Sequence, residues 1–94
     1  MTDEAQLLED LKSEKHREQA FRTLMTLYKE RLYWHIRNIV KSHDDADDVL
    51  QNTFIKIYSN IHSFKGDSKL FSWIYRIATN ESITLLNKNA KQLL

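Results

Sequence analysis

No cysteine and no proline occur in this chain of 94 residues, and glycine occurs once, at Gly66. The missing cysteine excludes a disulfide framework and any thiolate-ligated metal site, and it agrees with a reducing compartment. The missing proline and nearly missing glycine remove the residues that interrupt helices, and what remains is rich in Leu, Ile, Lys, Glu, Gln and Ala, which favour them. No apolar run nears the roughly 20 residues of a membrane span and no stretch reads as a secretory leader, so the expectation is a soluble, cytoplasmic protein without membrane insertion. A Gly-rich phosphate loop is absent, and no Ser-His-acid set can be assembled, so neither an enzyme nor a bound cofactor is expected. One domain of this size is near the lower end of what a single core sustains.

Little net charge is present either, but the formal +1 conceals blocks. Residues 1 to 20 hold six acids against three bases, and residues 21 to 43 hold five bases against one acid. Residues 44 to 63 return to four acids against one base, and residues 64 to 94 hold five bases against two acids. One face can therefore attract a polyanion while another repels it.

What is there reads as an all-α chain, a compact bundle of about four helices. A short amphipathic piece from about Asp3 to Lys12 turns Leu7, Leu8 and Leu11 inward, with Thr2 as its N-cap. A long helix from about Arg17 to Lys41 carries Phe21, Leu24, Tyr28, Leu32, Ile36 and Ile39 at spacings of three and four. Asp44 is the expected cap of a third helix running to about His62, and Asp45, Asp47 and Asp48 suit the positive end of its dipole. A loop from Ser63 to Ser68 leads to a fourth helix from near Lys69 to about Asn89. The clustered aspartates lack the ligand spacing of a calcium loop, and His16, His35, His43 and His62 are too scattered to ligate a metal.

Two helices carry side chains off their core faces. On the third, Ala46, Val49, Leu50, Thr53, Phe54, Ile57, Tyr58 and Ile61 form the inward stripe, and Asp48, Gln51, Asn52, Ile55 and Ser59 fall opposite. Ile55 is either an ordinary lone surface isoleucine or the apolar centre of a partner-binding face with a polar rim. On the fourth, Leu70, Ile74, Ile77, Ala78 and Leu85 define the buried side, while Trp73, Arg76, Asn80, Ile83 and Asn87 recur along a flank. An indole, a guanidinium and amides can stack on bases or bond to their edges, and Lys65, Lys69, Lys88 and Lys91 can meet phosphates. Against that stands a plain reading of Trp73 as boundary core and the lysines as a solvated rim. Glu81 falls near the buried stripe and weighs against DNA, since its charge needs an outlet.

The stretch DADDVLQNTFIKIYSNIHSFKGDSKLFSWIYRIATNE, Asp45 to Glu81, resembles the second region of bacterial RNA polymerase sigma factors of the extracytoplasmic-function class. AFRTLMTLYKERLYWHIRNIV, Ala20 to Val40, looks like the family's preceding helix, and QLLEDLKS, Gln6 to Ser13, like its first. The specific signature is A-x-D-x-x-Q-x-x-F at Ala46, Asp48, Gln51 and Phe54, then F-x-G-D-S from Phe64, then W-I-x-R-I-A-x-N from Trp73 to Asn80.

The resemblance implies a transcription initiation domain. It would set Asp48, Gln51, Asn52, Ile55 and Ser59 against the clamp helices of the β′ subunit of the polymerase core. It would give Lys65, Gly66, Asp67, Ser68 and Lys69 to a pocket for a flipped base of the promoter minus-ten element. Phe71, Trp73, Arg76, Thr79, Asn80 and Ile83 would then hold the non-template strand. An anti-sigma factor is a further expected partner. Family members continue into a second helical domain, region 4, that reads the minus-thirty-five element, and residues 1 to 94 are expected to be region 2 without it. The run ITLLNKNAKQ is less basic than in many relatives, so weak duplex contacts are expected there. The competing expectation is a protein-only helical regulator that binds polymerase or an anti-sigma factor without reading DNA.

Overall fold

The structure, a computed structural model, describes residues 4–66 and 68–93. Among the described residues the elements are four α-helices, α1 (Glu4–Leu11), α2 (Arg17–Val40), α3 (His43–Asn60) and α4 (Leu70–Leu93), with a 3-10 turn at Ile61–Ser63 and no strand. The all-α bundle expected from the sequence is therefore the fold. The expected cap Thr2 lies outside the described residues.

The core grows from one row on each helix. Leu7 and Leu11 of α1 close on Ala20, Leu24, Leu32, Ile36 and Val40 of α2, on Ala46, Val49, Leu50, Phe54 and Ile57 of α3, and on Leu70, Ile74 and Ala78 of α4. Spacings of three and four keep each row on one side of its helix, and joining the rows removes them from water together. Phe21, Tyr28 and Ile39 of α2 are half-buried at the margin of that core, as are Leu8, Ile77 and Leu85.

The link between α2 and α3 is only two residues long, which folds them back on each other. Lys41 ends α2 in a left-handed conformation, φ 68°, with its N–H donating to the Arg37 carbonyl at 3.0 Å. Ser42, not Asp44, caps α3: its backbone is extended and its Oγ accepts from the Asp45 N–H at 3.4 Å. The extended backbone of a cap ends one residue before the aspartates begin, which leaves Asp44 and Asp45 in the first turn where the dipole favours them.

Tyr28 faces Phe71 at 4.9 Å between ring centres, and the His35 ring lies on Tyr75 at 4.4 Å and 14°. Both partners advance together, so α2 and α4 run parallel in direct contact, and α3 packs on both of them, antiparallel to α2. At the other end, Arg17 clips the start of α2 to the end of α3, donating to His62 Nε2 at 3.0 Å and lying over the Tyr58 ring at 5.5 Å. Tyr58 itself is 38% exposed and is not in the inward stripe assigned to it from the sequence. It closes edge-on against Phe21 at 5.1 Å, at the border where the α2–α3 contact ends.

Candidate functional site

The loop after the 3-10 turn is anchored at its first residue. Phe64 is buried, packs on Trp73 at 5.3 Å, and its carbonyl accepts from Lys12 Nζ at 2.7 Å. Gly66 follows at φ +80°, a conformation open to glycine and costly to other residues, although a Cβ there would meet nothing within 4 Å. The glycine thus serves the backbone's direction and not a close approach. Lys65, Ser68 and Lys69 are exposed, and the Lys69 carbonyl starts α4 by accepting from the N–H groups of Ser72 and Trp73. Asp67 lies outside the described residues.

From there α4 sorts its side chains by register. Arg76, Asn80, Ile83 and Asn87 are exposed along one flank, with Ile83 at 46%, and Trp73 is half-buried at its start with one side against Phe64. Phe71 and Thr79, grouped with these residues by resemblance, turn toward α2. Phe71 packs on Tyr28 and on Tyr75 at 4.3 Å, with the Arg31 guanidinium 5.6 Å above its ring. Thr79 Oγ1 is 2.7 Å from His35 Nε2. Glu81, whose charge needed an outlet, pairs with Lys56 Nζ of α3 at 2.8 Å on the opposite side.

The outer side of α3 forms a second surface. Asp48, Gln51, Asn52, Ile55 and Ser59 are all exposed, and Ile55 is the most exposed large apolar side chain of the described residues, at 61%. Beside it runs a groove of about 380 Å³ lined by Gln51, Phe54, Ile55, Tyr58 and Ser59 of α3 and by Phe21 and Met25 of α2. A neighbouring hollow of about 670 Å³ continues along the same helix pair past Arg22, Lys29 and Asp47. Ile55 therefore lines a groove shared by α2 and α3. Sequence reasoning placed Phe21 in the core and so did not extend this face onto α2.

Other contributors had no signal in the helical period. Phe64 follows a 3-10 turn, where the helical period has lapsed. Ser82 is fully buried and donates to the Ala78 carbonyl at 2.8 Å, continuing the row Ile74, Ala78, Ser82 with a residue that seldom marks a core. His35 and Lys56 act across helices, which periodicity cannot report. Among the described residues no group of His, Asp and Glu could hold a metal ion, and no helix is long and apolar enough to cross a membrane.

The family model of Sigma-70 region 2 matches residues 24–92. The chain belongs to that family. It is 36% identical over 69 residues to the ECF RNA polymerase sigma factor SigW of Bacillus subtilis (strain 168), covering 73% of this chain and 37% of that protein. It is 40% identical over 63 residues to the ECF RNA polymerase sigma-E factor of Escherichia coli (strain K12), covering 67% of this chain and 32% of that protein. The chain thus spans about a third of the length of these curated relatives. Among solved structures, the NMR structure of an engineered region 2 of sigmaE in complex with GTAAAA superposes with a TM-score of 0.85 at 30% identity, over 98% of this chain and 94% of that one.

Proposed function

We propose that residues 1–94 form the domain of a transcription initiation factor that docks on core RNA polymerase through α3 and captures the non-template strand of the promoter minus-ten element through the 64–69 loop and α4. The observation that carries this is the exposed α4 flank. Trp73, Arg76, Asn80 and Ile83 sit together, next to a loop bearing Lys65 and Lys69, in a chain that superposes on a sigmaE region 2 solved with GTAAAA.

The chemistry fits strand capture. Unstacking a base costs a few kcal/mol, and a protein offsets this by offering stacking area, edge contacts and cations to the open strand alone. Trp73 supplies area, Arg76 and Asn80 supply donors and an acceptor, and the lysines meet the backbone. Lys65, Gly66, Asp67, Ser68 and Lys69 would enclose a flipped base. Phe71 and Thr79, turned toward α2, would support the flank from behind. Melting would then be selective binding, with no bond made or broken and no cofactor. On α3, Ile55 and its groove would seat apolar side chains of the β′ clamp helices while Asp48, Gln51 and Asn52 bond to cationic and polar groups at the rim. An anti-sigma factor covering either face would block initiation.

Two binding assays test the proposal. Clamp-helix affinity should fall at least about tenfold in Gln51→Ala with Ile55→Ala, an energy near 1.4 kcal/mol. Single-stranded minus-ten oligonucleotides should be bound with a sequence preference that Asn80→Ala weakens. Clamp binding that survives the double substitution removes the α3 assignment. Absence of any sequence preference, with Asn80→Ala indifferent, leaves a protein-only regulator.

A further inference from the structure

Asn80 is bracketed. The residue before it, Thr79, is held to α2 by His35, whose Nε2 lies 2.7 Å from Thr79 Oγ1 while its ring is stacked on Tyr75. The residue after it, Glu81, is held to α3 by Lys56 at 2.8 Å, with only 14% of the Glu81 side chain exposed. On the side of α4 facing away from Asn80, the buried residues at this level are Ala78 and Ser82. Both are small, and small side chains leave a helix free to roll against its neighbours. A roll of ~20° would carry a side-chain tip, ~6 Å from the helix axis, through ~2 Å. That is more than base discrimination by a single amide tolerates, since such sites need placement to within ~0.5 Å.

From this geometry we infer that His35 and Lys56 are positioning residues that together fix the roll of α4 and so the aim of Asn80. The inference rests on the reading of Asn80 as a base-contacting residue. The two contacts leave α4 in different directions, one toward α2 and one toward α3, so a roll of either sense lengthens one of them. Neither His35 nor Lys56 lies on the exposed flank, so their effect on base choice passes through Asn80. His35 meets Thr79 from a flat ring braced by Tyr75, which sets the height as well as the side of Thr79.

The test is the discrimination ratio of the full chain, its affinity for a preferred single-stranded minus-ten oligonucleotide over single-base variants. His35→Leu and Lys56→Met should each lower the ratio by roughly three- to tenfold, in the lower part of the range of couplings between contacting residues. His35→Gln, whose amide can donate to or accept from the Thr79 hydroxyl, should restore most of it. In an Asn80→Ala background His35→Leu should have no further effect on the ratio. A ratio unchanged by His35→Leu and Lys56→Met, with Asn80→Ala effective, overturns this inference alone. An equal drop with and without Asn80 overturns it too, because general softening of the fold would then be the cause. Asn80→Ala without effect in the otherwise unaltered chain refutes the parent reading, and this one with it.

Discussion

Tyr28 illustrates how one residue's surroundings set a measurable property. Burial raises its phenol above the ordinary value of 10.0, the Glu4 carboxylate adds to the rise, and Arg31 partly offsets it. A folded-state value above the unfolded one means that the fold favours the protonated phenol. Its contribution to stability is whole below about pH 10 and is lost as pH climbs through the folded value. Denaturant titrations at pH 9 and pH 11 should show a smaller alkaline loss in Tyr28→Phe than in the unaltered chain. Equal losses would mean that other groups carry the alkaline limit. At this scale the sequence was partly legible. A sole glycine amid charged residues marks a turn, and Gly66 does hold a positive φ. The cap of α3 was not legible, because Ser42, Asp44 and Asp45 are all capable acceptors and only the extended backbone at Ser42 chooses between them.

Helices were legible as elements because their apolar spacing is long and uninterrupted, and the buried rows Leu24, Leu32, Ile36 and Leu70, Ile74, Ala78 follow it. Their margins were not, since a helical wheel does not tell how far a neighbour's cover extends. Tyr58 continues the stripe of Phe54 and Ile57 but comes out at the border of α2, and α4 continues to Leu93 on helix-forming residues with little burial beyond Leu85. The α2 end carries a testable strain. Lys41 adopts φ 68° without glycine's freedom, so Lys41→Gly should stabilise the fold by up to about 1 kcal/mol, the left-handed cost of an L-residue less the greater unfolded-state freedom of glycine. A thermal melt that moves upward agrees with this, and one that moves downward would mean that the lysine side chain contributes more than its backbone conformation costs.

As a whole the molecule is a scaffold that presents two surfaces on separate helices, the Ile55 groove on α2 and α3, and the Trp73–Asn80 flank on α4 with its loop. Separate surfaces should respond separately. Trp73→Ala should cost strand binding about 1–3 kcal/mol, the worth of one stacked base, and leave clamp-helix affinity unaltered. Raising salt should weaken strand binding with a logarithmic slope of about −0.7 for each phosphate met by Lys or Arg. The opposed charge blocks of the sequence allowed for such a division, and the family resemblance proposed which helix bears which surface, though it did not extend the Ile55 groove onto α2. How the roll of α4 is held was beyond it, because His35 and Lys56 meet Thr79 and Glu81 only once the bundle has closed. The most direct test is an amide chemical-shift map of the chain titrated with the GTAAAA oligonucleotide and with scrambled sequences. Strand capture by the loop and α4 predicts sequence-dependent shifts at Lys65 to Lys69 and along Trp73, Arg76 and Asn80, with Asn52, Ile55 and Ser59 unmoved. Shifts centred on α3, or none that depend on sequence, would contradict it.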